Sequence, residues 1–143
     1  MSDYLSPSHC VNSSLHQTAR AISRIYSEEM RPCGIKRSQF SILGNLLRLN
    51  VVTLTELADT LYMDRTTLSR NIKPLEKRGL VHINTSPTDA RAREITLTTE
   101  GKAQFQEAIK FWRKAQKRVV SAFGEDNWAE LESRLQKLRN QIS

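Results

Sequence analysis

The sequence predicts a mainly α-helical fold that carries one small β-hairpin. Three observations predict it. Apolar residues recur at three- and four-residue steps along most of the 143-residue chain, the spacing of helices that bury one face. Between residues 53 and 97 that rhythm shortens into two compact helical segments, followed by two strand-like pieces at 81–84 and 93–97. The strand pieces flank Thr85-Ser86-Pro87-Thr88-Asp89, a composition that reverses a chain.

The elements follow in order. A first helix is expected over about 11–31, where Leu15, Ala19, Ile22, Tyr26 and Met30 form one apolar stripe, and Pro32 and Gly34 stop it. A second begins near Arg37, with Phe40, Leu43 and Leu47 on one side. Thr53 with Glu56 three residues on is a capping-box signature and starts the third. Asp64 can cap the fourth, and Gly79 ends it. Pro74 lies inside this fourth helix, where a missing donor costs roughly 3 kcal/mol in a regular interior, so a local kink is expected. Thr98 or Thr99 caps a long fifth helix with apolar positions Phe105, Ala108, Trp112, Ala115, Val119 and Ala122. Gly124 interrupts it, and Trp128, Leu131, Leu135, Leu138 and Ile142 repeat the rhythm to the end. Such heptad-like seams want helical partners.

A short helix, a tight turn, a second helix with a polar outer face and a hairpin form the order of a winged helix-turn-helix, which places one helix in the DNA major groove. The expected organisation is an N-terminal dimerisation helix in 1–34, a DNA-binding domain in 35–98 and C-terminal dimerisation helices in 99–143. Packing of the outer helices within one chain is the alternative to dimerisation. The two long narrow seams favour a homodimer, because so small a central domain leaves little chain to cover them.

Composition agrees. A net charge of +7 and a pI near 9.8 favour a polyanionic partner. Apolar content of 38% is low for a self-sufficient globule and leaves room for a core shared between subunits. No apolar run is long enough to span a bilayer, and the first ten residues lack a secretory signal pattern. With Cys10 and Cys33 far apart in sequence, a reducing cytoplasm is expected, with no membrane association. His9, His16 and His82 are scattered, no Cys/His set has zinc spacing, and no glycine-rich phosphate loop is present. No enzyme, metal site or cofactor is therefore expected.

On the fourth helix Leu68, Ile72 and Leu75 share the inward face. Thr66, Arg70, Lys73 and Lys77 then fall on the opposite face, with Ser69 at its margin and no acidic residue among them. Hydroxyls at the first turn, including Thr67, can reach base edges or phosphates, and Arg70 can fork onto guanine O6 and N7. The helix N-terminus offers N–H groups suited to phosphate. Arg37 and Ser38, at the start of the second helix, complete the expected DNA-contacting set on the helices. In the hairpin, Arg91 and Arg93 stand at or beside the tip, where arginines suit the negative potential of a narrow minor groove. Asp89 has the wrong charge to touch DNA, and its expected role is to accept hydrogen bonds from an arginine and fix the tip.

These residues carry a resemblance. Leu54-Thr55-Glu56-Leu57-Ala58, Arg65-Thr66-Thr67-Leu68-Ser69-Arg70, Leu75-Glu76-Lys77-Arg78-Gly79-Leu80-Val81, and above all Asp89-Ala90-Arg91 followed by Leu97-Thr98-Thr99-Glu100-Gly101, make the chain similar to MarR-type bacterial transcriptional regulators. The resemblance implies a homodimer on a pseudo-palindromic double-stranded operator. It also implies repression relieved by a small molecule, often a phenolic or aromatic acid, or by oxidation. It makes Arg91 the minor-groove arginine, Asp89 its orienting partner and 66–70 the major-groove reader. In that family ligands lodge between the dimerisation helices and the DNA-reading domain, a cleft expected here to be lined by the first helix, the second and the start of the fifth, so His16, Gln17 and Arg20 of the first become candidates to hold an aromatic acid, with Arg20 pairing its carboxylate. A peroxide-sensing branch carries a reactive cysteine near the start of the first helix, close to Cys10, together with tyrosines bonded to the sulfur, of which Tyr26 could be one. Thiol sensing through Cys10, and a winged-helix module used for protein docking, are the alternatives to a ligand-released repressor.

Overall fold

The computed structural model describes residues 3–143. Six helices and three short strands follow one another: α1 (Val11–Met30), α2 (Arg37–Leu49), β1 (Val52–Thr53), α3 (Leu54–Thr60), α4 (Arg65–Lys77), β2 (Val81–Thr85), β3 (Arg93–Leu97), α5 (Thr99–Phe123) and α6 (Glu125–Ile142). Single 3-10 turns at Pro7–His9 and Arg31–Cys33 precede α1 and follow it.

The helix boundaries arise from side chains that satisfy the first or last backbone groups. Gln39 reaches back so that its Oε1 accepts the Lys36 N–H at 3.0 Å, closing the start of α2. At α3, Thr53 Oγ1 accepts the Glu56 N–H at 3.1 Å while Glu56 Oε2 accepts the Thr53 N–H at 3.0 Å, a complete capping box. Asp64 Oδ1 accepts the Thr67 N–H at 2.8 Å at the start of α4. Gly79, at φ +73°, lets the chain leave α4, and the Leu80 N–H closes back onto Leu75 O at 2.9 Å. Pro74 does not break α4, which runs through it to Lys77 as one element.

The chain divides into two compact units. The central unit, Met30–Phe111, holds α2 to β3 and the first half of α5. Its core gathers Ile42, Leu43 and Leu46 from α2, Leu57 from α3, Leu68, Ile72 and Leu75 from α4, and Ile95 from β3. The sheet has the order β1-β3-β2 and is antiparallel throughout, with Val52 opposite Ile95 and Val81 opposite Leu97 at its two ends. Only the β2–β3 hairpin was expected; β1 is an additional strand, formed because Val52 and Thr53, the latter also the α3 cap, lie along the edge of β3.

Phe105 and Ala108 belong to this central core, although the sequence assigns them to a dimerisation seam. The Phe105 ring stacks on Phe40 at a centroid distance of 4.7 Å, and Gly44 leaves it room, since a Cβ there would lie 3.1 Å from the ring. The start of α5 is fastened to the end of α4. Thr98 Oγ1 donates to Gly79 O at 2.6 Å and accepts the Gly101 N–H at 3.0 Å. Gly101 allows this approach, because a Cβ at that position would stand 2.1 Å from Leu80 O.

The second unit, residues 3–29 and 112–143, is helical. Arg118 ties α5 to α1 by donating to Glu29 Oε1 at 2.9 Å and Glu28 Oε2 at 3.2 Å, and these two carboxylates hold its pKa above the usual value. The Tyr26 hydroxyl donates to Gln116 Oε1, and burial raises its pKa. Of the seam residues in this unit Ala115 is buried, while α6 buries none of its side chains. Val11 (62% exposed), Leu15 (42%), Phe123 (47%) and Ile142 (74%) stand open to solvent.

Candidate nucleic-acid interface

The outer face of α4 is built by the spacing of its residues. With Leu68, Ile72 and Leu75 fully buried, the row Arg65, Ser69, Lys73, Lys77 and the adjacent row Thr66, Arg70, Pro74 are left outside. These residues, together with Leu54 of α3, line one broad shallow concavity. No carboxylate is among its lining residues. Four cations and two hydroxyls on one helical face make a surface that can meet phosphates and base edges together.

The structure brings together Thr66, Ser69, Arg70, Lys73 and Lys77, as the spacing predicts. It adds Arg65, which the same four-residue row would have revealed. Thr67 is placed differently. Its hydroxyl donates to Asp64 Oδ2 at 2.8 Å, so the group expected at base edges serves the helix cap. The two hydrogen bonds from Thr67 also hold the Asp64 carboxyl below its usual pKa, and the helix N-terminus has thereby one N–H fewer to offer a phosphate. Ser38 is half-buried and donates to Asn71 Oδ1 at 3.2 Å, while Asn71 donates to Thr67 O at 2.9 Å. It therefore braces α2 against α4. Arg37, beside it, is exposed.

The wing is shaped by its own polar side chains. Asp89 Oδ1 accepts the backbone N–H of Arg91 at 2.9 Å, and the Ala92 N–H donates to Asp89 O at 3.0 Å. Ser86 and Thr88 close the other side, with the Thr88 N–H 3.3 Å from Ser86 Oγ. The arginine hydrogen-bonded by Asp89 is thus held through its amide, which leaves the exposed Arg91 guanidinium outside any salt bridge among the described residues. Arg93 opens β3 opposite Thr85, at the base of the tip. It lines a smaller crevice with Ser69, Lys73, Glu76, Ile83 and Ile95, on the face of the sheet that meets α4.

A helix with a cationic face, a capped turn before it and an arginine-bearing wing after it can be compared with known proteins. The family model described as MarR family matches residues 34–92, which hold the helix, its cap and the wing as far as Arg91 and Ala92. The fold matches the M. tuberculosis transcriptional regulator MOSR in complex with DNA, at a TM-score of 0.82 and 31% identity over 93% of this chain and 96% of that one. This chain belongs to the MarR family. A mutant MarR from E. coli complexed with operator DNA gives a TM-score of 0.80 at 25% identity, covering 90% of this chain and 92% of that one. Among curated relatives, the HTH-type transcriptional regulator YwoH of Bacillus subtilis is 27% identical over 113 residues, 79% of this chain and 82% of its own. The chain is thus a MarR-family winged-helix transcriptional regulator.

The candidate effector and redox residues lie outside the central unit. His16, Gln17 and Arg20 are exposed on α1, and Gln17 Nε2 donates to Ser13 Oγ at 3.2 Å. Cys10 is exposed, and its Sγ accepts the Ser13 N–H at 3.4 Å. The Tyr26 hydroxyl, a candidate partner for that sulfur, is engaged by Gln116 instead. Among the described residues no group of histidine, cysteine and carboxylate side chains is arranged to hold a metal, and no helix is long and apolar enough to cross a membrane.

Proposed function

We propose that this MarR-family regulator is a sequence-specific repressor that binds a pseudo-palindromic operator as a homodimer and is released by a small aromatic acid. The observation that carries the DNA reading is the outer face of α4, where Thr66, Ser69, Arg70, Lys73 and Lys77 share one concavity lined by no carboxylate. On this reading α4 enters the major groove, Arg91 enters the flanking minor groove, and Arg37 meets a phosphate. A docking module for other proteins would instead need an apolar patch here, and the exposed large apolar side chains described in the central unit are only Val51 and Tyr62.

The homodimer is supported by the apolar side chains left open in the other unit, Val11, Leu15, Phe123 and Ile142, which a second copy would cover. The effector is supported by the family and by the exposed cation Arg20 beside His16 and Gln17. The placement of the Cys10 thiol at the start of α1 supports oxidation as the second route of release.

Selection of fragments from random-sequence DNA by the purified protein tests the proposal. Enriched fragments should share two inverted half-sites about one helical turn, roughly 34 Å, apart. Enrichment of no common sequence would overturn it. On the selected fragment, salicylate-like acids should weaken binding, and Arg20→Ala should remove that effect without changing ligand-free affinity. Release by peroxide that depends on Cys10, with no response to aromatic acids, would assign control to the thiol.

A further inference from the structure

We infer that the backbone carbonyl of Arg70, deprived of its helical donor by Pro74, accepts a hydrogen bond from the exocyclic amine of an adenine or cytosine in the major groove. Pro74 is thereby a specificity-determining residue. The inference rests on the DNA-binding reading above and deepens it by adding a base contact made by the backbone.

In an α-helix each carbonyl accepts from the N–H four residues on. Proline has no N–H, so Arg70 O lacks its donor at position 74, inside a helix that continues to Lys77. The proline ring also crowds that oxygen and tilts the carbonyl away from the helix axis. Arg70 and Pro74 stand in one outward row and both line the concavity, so the oxygen between them lies at its surface. Burial does not account for the proline, because Pro74 is exposed. A costly residue kept on an exposed reading face is the kind of local conflict found at functional sites.

The chemistry of the face supplies the ligand. Arginine and lysine only donate, so Arg65, Arg70, Lys73 and Lys77 can meet phosphates, guanine O6 and N7, and thymine O4. Adenine N6 and cytosine N4 are donors in the major groove and need an acceptor. Side-chain acceptors on the concavity are limited to the hydroxyls of Thr66 and Ser69. The remaining polar side chains of α4 are engaged or placed elsewhere. Thr67 serves the cap, Asn71 accepts from Ser38 and donates to Thr67 O, and Glu76 lines the crevice beside the sheet. The Arg70 carbonyl is the acceptor that completes the face. It does so without setting a negative charge against the phosphates.

Two variants restore the missing N–H. Pro74→Ala and Pro74→Val both let residue 74 donate to Arg70 O, and valine keeps an apolar side chain near the size of the ring. Both should melt at or above the wild-type temperature, because proline is the poorest residue for a helix interior. The wild-type protein selects its duplex from random-sequence DNA. That duplex is then remade with purine in place of one adenine, or pyrimidin-2-one in place of one cytosine, which removes the exocyclic amine alone. At one position in each half-site the wild type should lose roughly three- to tenfold in affinity, the effect of one hydrogen bond. Both variants should bind the two duplexes within about twofold of each other, since their Arg70 carbonyl is closed into the helix. Melting below wild type in both variants, or amine removal that costs variants and wild type equally at every position, would overturn the inference. So would a thymine preference that uracil abolishes and Pro74→Val retains, which would mean that the ring touches a methyl group. Failure of the wild-type protein to enrich any sequence would instead remove the DNA reading on which the inference rests.

Discussion

The carboxylate of Asp89 accepts the backbone N–H of Arg91 at 2.9 Å. A carboxylate two residues before an arginine suggests an ion pair, but here it forms an Asx turn that shapes the wing and leaves the guanidinium charge intact. Asparagine carries the same acceptor without the charge. Asp89→Asn should therefore keep DNA affinity within about twofold of wild type, whereas Asp89→Ala should weaken it several-fold as the turn loosens, by the worth of roughly one hydrogen bond. Equal losses in both variants would return the role to the negative charge.

Asp64 gives the reading helix a titratable cap. Its folded-state pKa lies below the ordinary aspartate value, chiefly because the Thr67 N–H and hydroxyl bond the ionised form. The stabilisation is therefore fully present above the unfolded value, about 3.9, and is lost as pH falls through the folded one. Asp64→Ala should melt several degrees below wild type at neutral pH, and the gap should close on acidification below about pH 4. Asp64→Ser, which caps without titrating, should show no such closure. A gap that is constant down to strongly acid pH would show that the cap does not depend on the carboxylate.

Arg70 and Lys77 share one face but stand two turns apart, and their substitutions should separate. Arg70→Ala should reduce discrimination between a selected operator and random DNA by about 1–3 kcal/mol if it forks onto a guanine. Lys77→Ala should weaken both DNAs alike and lower the slope of log affinity against log salt by about one, as loss of a phosphate contact does. Competition titrations at several salt concentrations read both quantities. A change of sequence preference with Lys77→Ala alone would mean that α4 enters the groove by its other end.

Association should show in solution mass. With Leu15 and Phe123 exposed in the single chain, sedimentation at micromolar concentration should give about twice the 16.4 kDa of one chain, and Leu15→Asp combined with Phe123→Asp should reduce that mass. A folded wild-type species of single-chain mass across that range would exclude the homodimer.

Much of this was legible in the sequence because caps are local. Thr53 with Glu56, Asp64, Gly79 and Thr98 each act within a few residues, so the residue type and its spacing announce the element. β1 was not legible, since two residues carry no period and Val52 is a strand only because Ile95 lies opposite. The partner of an apolar stripe is equally silent: Phe105 and Trp112 share one rhythm along α5, yet Phe105 stacks on Phe40 in the central core. On the reading face the cations were found by helical spacing alone. The duties of Thr67 and Ser38 were hidden, because a hydroxyl facing outward in a pattern can still be claimed by a neighbour in space.

The fastening of Thr98 to Gly79, with Gly101 pressed against Leu80, has a mechanical meaning. It is a fused joint without a hinge. The last turn of the reading helix and the first turn of α5 cannot tilt independently without breaking hydrogen bonds or forcing atoms into overlap. A small rotation of the start of α5 strains these contacts unless the end of the reading helix turns with it. A signal needs no relay of rearranging side chains across this point, and a methyl group at position 101 would unseat the lever at its fulcrum.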